Sequence, residues 1–455
     1  MASFTLAEVQ AAFPAVVLQS KQNKFCDIVT DTRLVTKDAL FVALIGEKFD
    51  GHDFIQAAIE NGAAGVLVSR NYLEAELRDL PITVIQAADT LKAYQFLAKV
   101  YRQRFSIPVI AITGSNGKTT TKDFTAAVLS AKFNVLKTEA NFNNEIGLPK
   151  TLLQLQTIHQ AAVVEMGMRG FGQIAELAEI AQPTIGIVTN VGETHMEILG
   201  SLANIAKAKA ELVEYLDESS VVILNADNPF VAAMQTKVKG KCITFGIDQT
   251  SDLRAGHIKT VHKNCTEFDC TFKGKTDSFV LPIVGRHNVY NVLAALAVGF
   301  TLGLSAVEMQ KGLAGFAATK MRFEIQQIGL YQVINDAYNA SPMSMKAALE
   351  TLAEVAEKRK IAVLGDMLEL GSVSVAAHKN IGKLVADQKI DALITFGDMA
   401  AHIAQEARIA GVELVYTCNS HAEAGKVLNG ILQPDDTILF KGSRGMQMEK
   451  IIDLI

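Results

Sequence analysis

The sequence predicts an α/β protein of three domains, on three observations. At 455 residues the chain is about three times an average domain of roughly 150 residues. Short apolar runs without polar alternation recur along it, separated by helical stretches, which is the pattern of parallel sheets covered on both faces. A glycine-rich turn near residue 114 stands between one such strand and a helix, the arrangement that binds phosphate in α/β domains. The expected order is a small α/β domain over 1–83 with a connecting helix at 84–106, a central parallel-sheet domain of P-loop type over 107–315, and a C-terminal Rossmann-like α/β domain over 316–455.

In the first block, Ala39–Leu44 and Gly65–Val68 read as strands and His52–Asn61 as a helix. A helix over Thr90–Phe105 stops before Ser106-Ile107-Pro108, because a residue preceding proline disfavours helical angles. The second block opens with the strand Val109–Ile112, the glycine turn and a helix to about Ala131. The strands Ala161–Val164, Ile185–Thr189 and Val221–Leu224 follow. The third repeats the alternation with strands at Tyr331–Asn335, Ile361–Leu364, Ala392–Phe396 and Thr437–Phe440.

Composition removes several classes. The 32 glycines and 9 prolines fall below the usual combined share of roughly 12 %, against collagen-like or low-complexity chains. A net charge of −5 argues against a broadly basic nucleic-acid binder, while leaving local basic pockets open. Five scattered cysteines without a C-x-x-C pair read as reduced thiols. The longest apolar run, Val292–Leu304, is interrupted by Thr301 and shorter than the roughly 20 residues of a membrane span. The start shows no secretion signal, so the expected setting is the cytoplasm, with no membrane insertion.

The sharpest motif is Thr113-Gly114-Ser115-Asn116-Gly117-Lys118-Thr119-Thr120. Converging backbone N–H groups need glycines for close approach, a helix N-terminus and a lysine answer the phosphate charge, and a hydroxyl serves Mg²⁺. Ile112 stands where the usual phosphate loop has its first glycine. Glu165, His195 and Asp336 follow strand ends, where open parallel sheets place ligands. Glu165 suits a hard cation, or is a solvated strand end; His195 on its own also reads as a hydrogen-bonded loop histidine. Ser201 is a good N-cap for a helix with apolar residues at Leu202, Ile205, Ala206, Leu212, Val213 and Leu216, and Lys209 sits inside that stripe. A lysine there must be paired, deprotonated or modified, unless it snorkels to the helix edge. The segment from Gly285 to Ala295, with His287, Asn288 and Asn291, opens an apolar helix with amides that suit an adenine edge or simple capping. The polar turns at Asp31-Thr32-Arg33 and Phe49–Phe54 suit a diphosphate or a base.

Taken together, these segments resemble the Mur ligase family, ATP-dependent amide-bond synthetases of peptidoglycan precursor assembly. The resemblance spans nearly the whole chain, and the family's phosphate loop accounts for Ile112. It implies that Gly114, Ser115, Asn116, Gly117, Lys118, Thr119 and Thr120 hold the phosphates of ATP. His287, Asn288 and Asn291 fall on the adenine motif, and Arg322 and Asp336 on nucleotide contacts of the last domain. Thr119, Glu165, His195 and Lys209 are implied at two Mg²⁺ ions, with Lys209 carbamylated. Thr32, Arg33, Gly51 and His52 are implied to hold UDP, and Asn143 and Asn144 the sugar-peptide or an acyl phosphate; Lys118, Lys209, His195 and Asn144 carry the chemistry.

Within the family, the segments 138–148, 336–343, 362–371 and 441–449 are similar to the member that adds D-alanyl-D-alanine to UDP-N-acetylmuramoyl-tripeptide. That implies a small-molecule ligase acting through an acyl phosphate, expected as a monomer without nucleic-acid partners. Two positions depart from the family pattern: Thr32 replaces the commoner serine and Ala340 the commoner asparagine. Asp227-Asn228-Pro229-Phe230 lacks the arginine of the tripeptide-forming ligase's motif and lies outside the last domain. A folate polyglutamylating ligase would not carry FVALIGEKFDGHDF, and a GTPase would need an Asn-Lys-x-Asp motif that is missing.

Overall fold

Alternate residues of the C-terminal strands are buried on opposite faces of one sheet, which is why these strands read as unbroken apolar runs. The computed structural model describes residues 2–69, 77, 80–261 and 265–455. Six strands run in the order Glu324–Ile328, Tyr331–Asp336, Thr437–Lys441, Lys360–Gly365, Ala392–Phe396, Leu414–Cys418, parallel except for the first pair. Ile334, Ala362, Leu364, Leu393 and Leu439 face one core with Met345, Leu349 and Ile403. Val333, Ile361, Val363, Ile394, Ile438 and Phe440 face the other, with Leu428 and Ile451.

By internal contacts the chain forms two units, described separately. The first comprises Met1–Ala111, Phe133–Met168 and Gln173–Thr184. It holds a five-stranded sheet in the order Ala15–Gln19, Thr83–Ala87, Gly65–Ser69, Ala39–Val42, Asp27–Val29, with only the first strand antiparallel. Thr83–Ala87 carries this sheet past residue 83, where the connecting segment was expected to begin. The helix that follows is Thr90–Arg102, capped by the Asp89 side chain accepting from the Lys92 N–H. In place of one helix over His52–Asn61 there is a 3₁₀ turn, Gly51–Phe54, and a short helix, Ile55–Glu60. The Asp50 carboxylate accepts from the His52 N–H and tightens that first turn. This unit also holds a short antiparallel pair, Phe4–Thr5 with Lys24–Phe25, and a parallel pair, Val135–Lys137 and Ala161–Glu165.

The second unit comprises Ile112–Lys132, Arg169–Gly172 and Ile185–Ile455. Besides the six-stranded sheet it contains the parallel run Ile185–Val188, Val221–Asn225, Lys241–Gly246, Leu253–Val261. That run continues into an antiparallel ribbon, Cys265–Phe272 and Lys275–Leu281. The ribbon departs from the all-parallel expectation; its alternating burial and two-residue Lys273-Gly274 turn are hairpin features. The apolar run Val292–Leu304 lies mostly in the buried helix Arg286–Thr301. All five cysteines are free, and among the described residues no helix is long and apolar enough to cross a membrane.

Candidate active site

The glycine turn is built by close approach. The strand Val109–Thr113 runs into Gly114, whose φ is 152° and whose added Cβ would lie 1.9 Å from Thr189 Oγ1. Gly117 adopts the left-handed region (φ 78°), and a Cβ there would lie 2.3 Å from Asn291 Oδ1. The Ser115 N–H donates to the Asn190 carbonyl (2.9 Å) and the Asn116 N–H to Asn190 Oδ1 (2.9 Å). The Asn116 carbonyl accepts from Thr189 Oγ1 (2.7 Å) and Asn190 Nδ2 (3.0 Å). These two amides therefore serve the loop's own shape, and the helix Lys118–Ser130 begins directly after Gly117, with its first turn at the end of the loop. Lys118 Nζ reaches back to the Gly114 carbonyl (2.9 Å), and Thr119 is buried beside it in sequence. Thr189 and Asn190 were not singled out in the sequence; their only signal was a position at a strand end.

Lys209 lies on the helix Leu202–Tyr215, capped by Ser201 as its sequence predicts. It is only 2 % exposed, which excludes snorkelling, whereas Lys207 is exposed. Among the described residues Lys209 has no hydrogen-bond or ion-pair partner. Burial, reinforced by the Lys118 cation, holds its pKa well below the ordinary 10.5. His195 senses the same lysines: burial lowers its pKa, the Glu369 carboxylate opposes this, and Lys209 and Lys118 add to the lowering. His195 Nδ1 lies 2.6 Å from Glu369 Oε2. The loop before it is tied down by Asn225 and Asn228, whose Nδ2 groups donate to the carbonyls of Thr189 (2.9 Å) and Val191 (3.0 Å).

Glu165 is buried at the end of its strand and is not a solvated strand end. Its Oε1 accepts from Asn143 Nδ2 (2.8 Å), and its N–H donates to Thr138 Oγ1 (3.1 Å). The structure thus pairs two residues that the sequence proposed for separate jobs. Asn144 is exposed and its Oδ1 accepts from the Gly147 N–H (2.9 Å) at the start of the helix Gly147–Leu152. In the nucleotide-side group, Asn291 Nδ2 donates to Asn288 Oδ1 (3.1 Å), and Asn288 Nδ2 to the Val284 carbonyl (2.7 Å). Both asparagines are buried and brace the helix start behind Gly117. Burial pushes His287 down to about 4, with Asp336 opposing and Lys441 adding to the shift.

Asp336 is held by Lys441, at 2.5 Å, and its Oδ1 accepts from the Phe323 N–H. The Arg322 guanidinium stacks over Tyr338 at 4.0 Å. Ser341 Oγ donates to Asn116 Oδ1 (2.9 Å), joining the 336–343 segment to the glycine turn. Lys441 was not singled out, because its partner is 105 residues away in sequence. Its side chain is almost fully buried, so Lys441→Met should strand the Asp336 carboxylate and lower stability by about 3–5 kcal/mol. Urea denaturation checks this, and a loss under about 1 kcal/mol would refute it.

In the first unit, Arg33 forks onto its own neighbour: Nε and Nη2 donate to Asp31 at 2.9 and 2.7 Å, and the side chain is exposed. Thr32 begins the 3₁₀ turn that Asp31 caps. The Gly51 N–H donates to the Leu44 carbonyl (2.7 Å). His52 is enclosed, its Nε2 accepting from the Ser69 N–H (3.0 Å) and its Nδ1 facing Asp50 Oδ1 (2.5 Å). Both ring nitrogens are engaged, so a ligand at this turn would meet backbone rather than the imidazole. Among the described residues no cluster of three or more His, Cys, Asp or Glu could hold a metal alone.

Residues 27–102 match the family model described as Mur ligase family, catalytic domain, residues 112–299 the Mur ligase middle domain, and residues 321–444 the Mur ligase, glutamate ligase domain. The chain is 41 % identical over 443 residues to UDP-N-acetylmuramoyl-tripeptide–D-alanyl-D-alanine ligase of Bacillus subtilis, covering 96 % of this chain and 94 % of that one. It superposes on MurF from Acinetobacter baumannii with a TM-score of 0.91 at 31 % identity, covering 99 % and 98 % of the two chains. MurF from Thermotoga maritima in complex with ADP gives 0.84 at 26 % identity, covering 94 % and 96 %.

Proposed function

The chain belongs to the Mur ligase family, with its three-domain architecture, and we propose that it joins D-alanyl-D-alanine to UDP-N-acetylmuramoyl-tripeptide at the expense of ATP in peptidoglycan synthesis. The observation that carries the chemistry is the grouping of the glycine turn with Lys118, His195 and the buried, depressed-pKa Lys209. The 41 % identity over 96 % of the chain carries the choice of substrates. Residues 1–83 anchor the UDP-sugar through Thr32, Arg33 and the Gly51-His52 turn. Residues 107–315 handle ATP, and 316–455 deliver the amino-acid acceptor and close the nucleotide site through Arg322 and Asp336.

The tripeptide carboxylate attacks the γ-phosphorus of ATP, the bond to the β-phosphate oxygen breaks, and an acyl phosphate and ADP form. The free amine of D-alanyl-D-alanine then attacks the acyl carbon, loses a proton and expels phosphate. Lys118 and the first-turn amides of its helix offset the charge that spreads over the transferring group. The carboxamide NH₂ of Asn144, which has no hydrogen-bond partner among the described residues, and Asn143 beside Glu165 serve the acyl phosphate.

The donor set fits Mg²⁺: a hydroxyl from Thr119, a carboxylate from Glu165, an imidazole from His195, and oxygens on a carbamylated Lys209. When bound, Mg²⁺ would supply charge neutralisation between the phosphates. An amine alone offers such a cation nothing, but the neutral Lys209 Nζ can attack CO₂ and lose a proton, leaving an N-carboxylate. The enzyme works as a cytoplasmic monomer in this reading.

The test is phosphate release by the purified protein. Release should require ATP, UDP-N-acetylmuramoyl-tripeptide and D-alanyl-D-alanine together. If D-alanyl-D-alanine gives none while a single amino acid or a folate-glutamate pair does, the substrate assignment fails.

A further inference from the structure

Two non-glycine residues face each other with left-handed backbones: His195 (φ 57°) and Glu369 (φ 63°). Such conformations cost energy and persist only where the surroundings enforce them, most often at functional sites. Here the enforcement is visible on both sides. The Met367 N–H donates to His378 Nε2 (3.0 Å), and that buried ring is fixed in turn by Nδ1 against the Ser374 carbonyl (2.7 Å). The Leu368 N–H donates to Ser443 Oγ (2.8 Å). The Glu369 carbonyl accepts from the Glu197 N–H (3.2 Å), two residues beyond His195. On the other side, Thr194 Oγ1 donates to Ser115 Oγ (3.1 Å), pinning the His195 loop to the glycine turn. The outcome of both sets of constraints is one contact, His195 Nδ1 to Glu369 Oε2 at 2.6 Å.

We propose that Glu369 is a positioning residue for His195: its carboxylate holds the ring rotation and the Nδ1–H tautomer, leaving the Nε2 lone pair for the phosphate and metal side of the site. The inference rests on the placement of His195 given under the proposed function. A ligating histidine is oriented by the partner of its other nitrogen, and losing that partner typically weakens metal affinity or activity roughly 10- to 100-fold. Nδ1 is buried and makes no aligned hydrogen bond among the described residues. At 2.6 Å the carboxylate is within hydrogen-bond reach of Nδ1, and catalytic contacts that are poorly aligned in the free protein commonly tighten in the bound complex. Because Glu369 belongs to the C-terminal sheet's loops and His195 to the central sheet's, the ring is set only when those two segments are docked.

A rival role is charge alone, with Glu369 offsetting the Lys118 cation. Glu369→Gln separates the two, since its carbonyl still accepts from Nδ1–H but carries no charge; Glu369→Ala removes both. The first readout is the ¹⁵N imidazole spectrum of His195 in the full-length protein. The second is the Mg²⁺ concentration giving half-maximal phosphate release, with Mn²⁺ binding to the ADP-loaded protein as a readout free of turnover.

For positioning, Ala should shift the His195 tautomer away from Nδ1–H and raise the Mg²⁺ and Mn²⁺ requirement about 10- to 100-fold. The KM for the UDP-peptide should hold, and Gln should keep the tautomer and most of the affinity. Gln behaving as Ala in both readouts, or Ala leaving the tautomer unchanged, overturns the proposal. A shifted tautomer with an unchanged metal requirement upholds the orienting role and counts instead against His195's place at the metal. Gln conserves size and hydrogen bonding, so it reports even if Ala proves unstable.

Discussion

Lys209→Ala should reduce turnover by about 10²- to 10³-fold, the scale of removing one preorganised group from charge that develops in the transition state. Added formate or acetate should restore part of it, by placing a small carboxylate where the carbamate oxygens would be. Depleting CO₂ and bicarbonate should slow the wild-type protein and leave the variant unchanged. The folded protein should survive the change. Lys209 is buried without a described partner, so its charged form already opposes folding. Its folded pKa is lowered, so between that lowered value and the ordinary 10.5 the unfolded chain binds the extra proton. Stability of the unmodified protein therefore rises with pH across that window and is level below it. Lys209→Ala should abolish this slope while turnover collapses. Retained turnover without added carboxylate would remove Lys209 from the chemistry.

Lys209 was legible because residue type and period disagreed: a lysine in an apolar stripe at helical spacing is an anomaly in the sequence itself. The glycine turn was legible for a related reason, since phosphate chemistry fixes a short contiguous string. Both readings used local sequence. What escaped was non-local. Asn190 shapes the turn from 74 residues away, Lys441 holds Asp336 across 105, and neither leaves a periodic trace. Asn288 and Asn291 left two readings open in the sequence, an adenine edge or capping, and it takes the fold to show their hydrogen bonds running inward to Val284, to each other and to Thr121. The antiparallel pairing of Cys265–Phe272 with Lys275–Leu281 was missed although the alternation was present, because the surrounding strands had set the expectation of parallel pairing.

The inward role of Asn291 makes Gly117→Ala the second large effect. The new Cβ would lie 2.3 Å from Asn291 Oδ1, and φ at 78° is already disfavoured for any other residue. The left-handed penalty alone is roughly 1–2 kcal/mol. Moving Asn291 aside would also break its buried bonds to Asn288 and Thr121, at roughly 1–3 kcal/mol for a stranded polar group. If the loop yields instead, the first-turn amides leave the phosphates. Either route should weaken ADP binding by about 100-fold or more, near 2.7 kcal/mol, as read by calorimetry. Asn291→Ala removes the obstacle but not the backbone penalty. The double variant should therefore bind ADP more tightly than Gly117→Ala, with a coupling of about 1 kcal/mol or more between the sites. Gly172→Ala supplies the control: φ is 80° but nothing lies within 4 Å, so only the backbone penalty applies and ADP binding should hold. Strictly additive effects of Gly117→Ala and Asn291→Ala would mean that the asparagine does not form the back wall of the phosphate loop.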